Sequence, residues 1–274
     1  MKGLVLNADD FGLSPGINKA IIEGLSAKAL DRASIMVTTE YFKDAIDFAA
    51  ENPEYSYGLH FDLTLGRPQS GTYPCKGDIN FNNGFFGLWF NIFRSNKKNI
   101  AQLVEAELRA QLDVLLSRGV QVDHINGHDH VHMIPTINKI VVKVSREFGI
   151  IDVRDVNECI LKTAKASGLL PLLSPRRLSK YIFFKLLSNW NGNSSRRYFY
   201  SILFSCELSS DLVSTEALSS DKFDAYEIML HPGNPDIDRN LYANNSRMNA
   251  YLRSSKRIEE YRTMMNLKTS FIRV

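Results

Sequence analysis

Leu4-Val5-Leu6-Asn7-Ala8-Asp9-Asp10-Phe11-Gly12-Leu13-Ser14-Pro15 is the stretch that decides the fold. Leu4 to Leu6 is a short apolar run suited to a buried strand, and it stops at two adjacent carboxylates. Ser14 then offers a helix N-cap, with Pro15 at the first helical position, where its missing N–H costs nothing. Ile17, Ala20, Ile21 and Leu25 follow at the spacing of one helical face. The unit is strand, polar loop, helix.

The same grammar recurs outward from this stretch. Ser34 to Val37 reads as a strand and Phe42 to Ala50 as a helix. Tyr55 to Leu59 is a strand ending in His60. Ile100, Leu103, Val104, Leu108, Leu112 and Leu115 mark a long amphipathic helix that stops near Gly119. Val120 to Ile125 is a strand ending in a histidine-rich run. Thr136 can cap a helix closed by Gly149, and Ile150 to Val153 is the next strand. Glu227 to Leu230 is a strand ending in His231. Strands alternating with helices imply a parallel sheet with right-handed crossovers. Titratable residues recur at strand C-termini, the edge where α/β folds build their sites. The expected fold class is α/β, a distorted or incomplete (β/α) TIM-like barrel, with an open doubly wound sheet as the alternative. One domain over 1–274 is expected, with insertions around 80–99 and 159–206.

The composition sets bounds. The chain has 274 residues, 44% hydrophobic and 23% charged, with formal net charge +3. That is a globular chain, and the charge is too small to argue for nucleic acid. Cys75, Cys159 and Cys206 are far apart and show no CxxC spacing, so neither a disulfide framework nor a structural zinc cluster is expected. The opening apolar run turns acidic too early for a signal peptide, and no apolar run is long enough to span a bilayer. A reducing cytoplasmic location is the expectation.

All six histidines fall in three places: His60, the group His124, His128, His130 and His132, and His231. Each place is the end of an expected strand, and such titratable clusters mark active sites. Imidazole with carboxylate suits zinc and other first-row divalent ions, and a catalytic site commonly uses three protein ligands. One carboxylate from Asp9-Asp10, His60 and one clustered histidine would supply them. Residues i and i+2 of an extended chain lie about 6.6 Å apart. Holding His128, His130 and His132 on one ion therefore needs a sharp bend; otherwise some support the ligands from behind. Adjacent Asp9 and Asp10 point different ways, so one can bind an ion while the other takes a proton.

Two segments break the rhythm. Asn80 to Asn99 is rich in aromatic and amide residues. Residues 159 to 206 hold no Asp or Glu and eight Lys or Arg, among eight aromatic residues. Peripheral contact with a membrane or a lipid-linked glycan is one reading of that segment. Aromatic packing under solvated basic residues is the other.

These motifs together resemble the YdjC-like carbohydrate deacetylases. The resemblance is carried by Asn7-Ala8-Asp9-Asp10-Phe11-Gly12-Leu13-Ser14 and by Gly58-Leu59-His60-Phe61-Asp62-Leu63-Thr64 with Gly66 and Pro68. It continues in Gly127-His128-Asp129-His130-Val131-His132 with Pro135, in Arg154, and in Glu227-Ile228-Met229-Leu230-His231-Pro232-Gly233. It implies a distorted (β/α) barrel, a divalent metal, magnesium or zinc, and hydrolysis of the acetamide of an N-acetylglucosamine-type sugar. It assigns Asp10, His60 and His128 to the metal, Asp9 to the base and His231 to the acid. His130, His132, Arg154 and Asn126 are the expected substrate-binding or supporting residues. At Asn126 similar proteins usually carry Asp, so the negative charge is missing here. The expected partner is an N-acetylated carbohydrate, with a homodimer as the expected assembly. The competing readings are a metal-dependent phosphoesterase and a non-catalytic sugar-binding protein with a degenerate site.

Overall fold

A computed structural model describes residues 4–72, 84–94, 97–169, 171, 174–192, 197–213, 225–239, 241–242 and 245–272. Cys75 and parts of both expected insertions (80–83, 95–96, 170, 172–173 and 193–196) lie outside the described residues.

The expected alternation is present. β1 (Leu4–Phe11) leads to α1 (Pro15–Ser26), and β2 (Arg32–Ile35) to α2 (Phe42–Glu51). β3 (Ser56–Phe61) is followed by α3 (Phe85–Arg94) and α4 (Lys97–Leu116), and β4 (Val122–Gly127) by α5 (Pro135–Glu147). β5 (Asp152–Val153) precedes α6 (Ile160–Ser167) and α7 (Pro175–Asn191). β6 (Arg197–Tyr200) and β7 (Ala225–Leu230) come next, then α8 (Ser246–Leu252) and α9 (Lys256–Ile272).

The strand order is β5-β4-β3-β2-β1-β7-β6. The β1–β7, β3–β4, β4–β5 and β6–β7 pairings are all parallel. This order is cyclic: each strand neighbours the next in sequence except β5 and β6, which form the two edges, and the last strand returns to the first. A doubly wound sheet instead reverses direction beside its first strand. The connectivity is consistent with a barrel-like (β/α) fold open between β5 and β6. Five residues past β5, Glu158 makes an isolated parallel bridge to Phe199 of β6.

The chain divides into two compact units. One holds residues 10–14 and 34–154. Its core comes from the central strands β3 and β4 and from the apolar faces of α4 and α5. Val104, Leu108, Leu112 and Leu115 of α4, with Ile137, Val141 and Val144 of α5, are almost wholly buried. The other unit holds residues 1–9, 15–33 and 155–274. There α1 buries Ile17, Ile21 and Leu25, and it runs so close to α9 that a Cβ on Gly24 would stand 2.7 Å from Met264 Cε.

Several boundaries differ from expectation, each for a physical reason. β1 does not stop at the carboxylates but runs through Asp9 and Asp10 to Phe11. Both acids are buried, and their polar partners make that tolerable. α5 starts at Pro135 after Ile134, not at a Thr136 cap, because proline's fixed φ suits the first helical position. β6 was not foreseen. Basic and aromatic residues read as surface, yet Tyr and Phe are good strand formers. Arg197 of β6 finds Glu227 of β7 at 3.5 Å, and Arg32 meets the same carboxylate at 2.8 Å. Among the described residues no helix is long and apolar enough to cross a membrane.

The turn after β1 depends on Gly12. Its φ is +108°, and a Cβ there would lie 2.5 Å from the Met36 carbonyl oxygen. Gly12→Ala is expected to cost about 1–3 kcal/mol. Urea titration should show a lower midpoint with an unchanged slope.

Candidate metal centre and active-site groups

Asp10, His60 and His128 come together in one unit, with one ligand atom from each, all within 4.8 Å of one another. Asp10 Oδ1 lies 2.9 Å from His128 Nδ1 and 3.1 Å from His60 Nε2. The two imidazole rings meet edge to face, 5.5 Å between centroids. Asp10 reaches this position through a left-handed backbone, φ 68°, a conformation that Asp tolerates better than most side chains. Such strain concentrates at functional sites. The next turn closes by a hydrogen bond from Leu13 N–H to the Asp10 carbonyl, 3.0 Å.

His60 is oriented from behind. Its Nδ1 sits 2.7 Å from Asn126 Oδ1, and Asn126 in turn donates from Nδ2 to Ser34 Oγ at 2.8 Å. Since the amide NH2 faces Ser34, its oxygen faces His60, so Nδ1 carries the proton. That leaves Nε2, on the Asp10 side, with a lone pair for an ion. Asn126 thus meets His60 as a hydrogen-bond acceptor, without the charge that Asp would add.

The electrostatics match a cation site. Burial pushes the Asp10 carboxyl up, but the His128 charge and hydrogen bonds from both histidines hold it well below the usual range. Burial opposes the charged form of His128, yet Asp10 above all raises its imidazole to about 10. A carboxylate held in its charged form beside two imidazole rings offers the field and donor atoms that a divalent ion would use. The donor set, one carboxylate oxygen and two imidazole nitrogens, fits such an ion with positions left open.

The other histidines take separate places. His128–Met133 forms a 3-10 turn with left-handed residues at Asp129 (φ 50°) and His130 (φ 59°). This is the sharp bend considered from sequence, but it does not bring three histidines together. His130 and His132 are buried, their rings 6.1 Å apart, outside the three-ligand group among the described residues. His124 lies inside β4, not at its end; its Nε2 is 3.0 Å from Ser34 Oγ. Arg154 follows β5, is buried, and donates its backbone N–H to Ile125 O at 3.0 Å. Asp9 is buried and accepts a hydrogen bond from Asn7 Nδ2 at 2.7 Å.

Sequence reasoning gave no role to Asp62, although it was legible as the residue two after His60, on the same face of an extended chain. Its carboxylate accepts from Thr38 Oγ1 at 2.9 Å and from Thr64 N–H at 2.8 Å, organising the loop after β3. Burial raises its pKa, against the His128 charge and these hydrogen bonds.

In the other unit His231, just past β7, is clamped by α9. Its N–H donates to Glu260, and Arg257 donates from Nη1 to its carbonyl at 2.7 Å. The same guanidinium donates from Nη2 to the Cys206 carbonyl at 2.5 Å and lies over the Tyr251 ring. Arg257 and Glu260 are each 1% exposed. Burial lowers the His231 pKa, but Cys206 and Glu260 together hold it well above the usual imidazole value. Burial lifts Glu260 too, and Arg257 with His231 draws it below its ordinary value. Cys206, pushed up by burial and drawn down by His231 and Arg257, settles at about 7. No sequence signal pointed to Arg257 or Glu260, because α9 lies some 30 residues beyond the motif it grips.

With this geometry in hand, comparison with known proteins is decisive about family. The profile of the YdjC-like protein family matches residues 3–270. The chain belongs to that family. Similar proteins include a carbohydrate deacetylase of Brevibacillus brevis, 36% identical over 149 residues, which are 54% of this chain and 57% of the relative. Another, from Clostridium beijerinckii, is 33% identical over 147 residues, 54% of this chain and 58% of the relative. A third, from Vibrio parahaemolyticus, is 33% identical over 151 residues, 53% and 55% of the two chains. The aligned stretch thus spans little more than half the length of these relatives. A solved structure from Enterococcus faecalis, of a protein named for cellobiose-phosphate cleavage, superposes with TM-score 0.66 at 20% identity. It covers 98% of this chain and 93% of its own, and it shows the shared fold.

Two measurements follow. Asn126→Ala is expected to weaken divalent-ion binding about 10–100-fold by calorimetry, with Asn126→Asp binding at least as tightly as the parent. Glu260→Gln should lower stability at neutral pH by about 1–3 kcal/mol. Because the folded Glu260 pKa is depressed, its contribution is present above the unfolded value of about 4.3 and is lost as pH falls through the folded one. The gap between variant and parent in urea titrations should therefore close on acidification.

Proposed function

We propose that this chain is a metal-dependent hydrolase that removes the acetyl group from an N-acetylated sugar of the N-acetylglucosamine type, built on an incomplete (β/α) barrel. One observation carries the reading: a buried Asp10-His60-His128 donor set in a YdjC-like chain similar to proteins named carbohydrate deacetylases. Asp10 Oδ1, His60 Nε2 and His128 Nδ1 would hold the ion. Two imidazoles favour zinc over magnesium, which prefers an all-oxygen shell. When bound, the ion supplies Lewis acidity to the acetyl carbonyl and makes water a competent nucleophile near neutral pH.

The chain's own groups divide the proton work. Asp9, next in sequence to the ligand Asp10, takes the proton of the attacking water. His231 donates a proton to the departing amine nitrogen. Glu260 and Arg257 support that role, since the carboxylate favours the protonated imidazole and the guanidinium fixes the backbone that carries it. His130, His132 and Arg154 are the groups we assign to binding the sugar or bracing the ligands.

The test is an acetate-release screen over N-acetylated oligosaccharides, with phosphate release from sugar phosphates run in parallel. Chelation should abolish turnover and added metal should restore it. Asp10→Ala, His60→Ala and His128→Ala should lose both metal and turnover. Asp9→Asn should keep the metal and lose about 100-fold or more in kcat. Phosphate release without acetate release would reject the reading, and near-normal turnover by Asp9→Asn would reject Asp9 as the base.

A further inference from the structure

Thirteen large apolar side chains are exposed among the described residues, and six of them fall between Leu161 and Trp190. Four form one row on α7. Leu178, Ile182, Leu186 and Trp190 follow at steps of four and are 42%, 48%, 61% and 72% exposed. Steps of four place them along one face of a helix. The buried residues of α7 are Phe184, Leu187 and Ser188, which project from the opposite side. The helix therefore has two apolar faces, one packed into its own unit and one turned to solvent.

The surrounding charge says what the second face suits. Residues 159–206 carry eight Lys or Arg and no acid. Arg177 is committed to Glu207 at 2.9 Å and Arg197 to Glu227 at 3.5 Å. Lys165 on α6 and Arg176 in the first turn of α7 are exposed. A second copy of this chain would set cations against cations with no carboxylate from this segment to answer them. An anionic lipid surface supplies both needs, an apolar layer for the row and negative headgroups for exposed cations of the same segment such as Lys165 and Arg176. Trp190, at the end of the row, has the amphipathic ring that favours the membrane–water boundary.

We propose that the outer face of α7 is a docking surface for an anionic lipid bilayer. The helix lies along the surface with Leu178, Ile182, Leu186 and Trp190 in the acyl boundary. On the deacetylase reading this would bring the enzyme to glycans carried on lipids; the binding measurement does not depend on that reading.

The full chain is mixed at low salt with vesicles of phosphatidylcholine alone or with phosphatidylglycerol added, and sedimented. Binding is expected to the phosphatidylglycerol vesicles and to fall in about 0.5 M salt, where the Debye length is only a few ångströms. In a Trp89→Phe background the Trp190 emission should shift to the blue on binding. The double variant Ile182→Asp, Leu186→Asp changes exposed positions, so its circular dichroism should be unchanged while vesicle binding weakens at least about tenfold. Failure of the parent chain to bind phosphatidylglycerol vesicles would overturn the proposal. So would undiminished binding by the double variant, or a dimer of the parent chain that the same variant dissociates, which would give the face to a second copy.

Discussion

One carboxylate oxygen organises the candidate metal centre. Asp10 Oδ1 faces His128 Nδ1 at 2.9 Å and His60 Nε2 at 3.1 Å. Asp10 holds that oxygen on a left-handed backbone, followed two residues on by a glycine at which any larger side chain would be strained. The dependence runs outward from there. His60 can present Nε2 only because Asn126 takes its other nitrogen, and Asn126 is fixed by Ser34. A chain of hydrogen bonds across β2, β3 and β4 thus sets the tautomer of a single ring. This is how a parallel sheet makes a precise site: neighbouring strands deliver side chains at fixed spacing, and each buried polar atom needs a partner.

The same requirement shapes the surroundings of His231. Arg257 and Glu260 are buried ions, and buried ions are costly unless their hydrogen bonds are met. Here the guanidinium serves two backbone carbonyls and the carboxylate two backbone N–H groups, those of Leu208 and His231. A pair that only added stability could be replaced by apolar packing. This pair fixes the loop carrying His231, and Glu260 favours the protonated form of that ring.

α7 shows a different economy. A helix needs one apolar face to pack, and Phe184 and Leu187 provide it. The exposed row on the other side costs solubility without helping the fold, and such patches mark surfaces that meet something. Its setting in an acid-free, basic segment is what favours a negatively charged layer over another copy of the chain.

Much of this was legible in the linear chain. Apolar runs, helical spacing and the Ser14-Pro15 start gave the β/α alternation, because those periodicities are local properties of backbone geometry. Asp10, His60 and one clustered histidine could be nominated from ligand chemistry, and the family resemblance selected His128. The strand order could not be read, and with it the choice between cyclic and doubly wound connectivity, since pairing joins residues far apart in sequence. β6 was hidden because its Arg197 looks like surface until Glu227 is seen beside it. Asp62 was visible as a motif residue without a role, and Arg257 and Glu260 carried no signal at all. The sequence by itself determined which chemical groups the chain possesses and the local rhythm that puts them near strand ends. Only the tertiary structure decided which nitrogen of His60 faces Asp10 and which helix grips His231, because hydrogen-bond partners are chosen in space, and the chain brings them together only by folding.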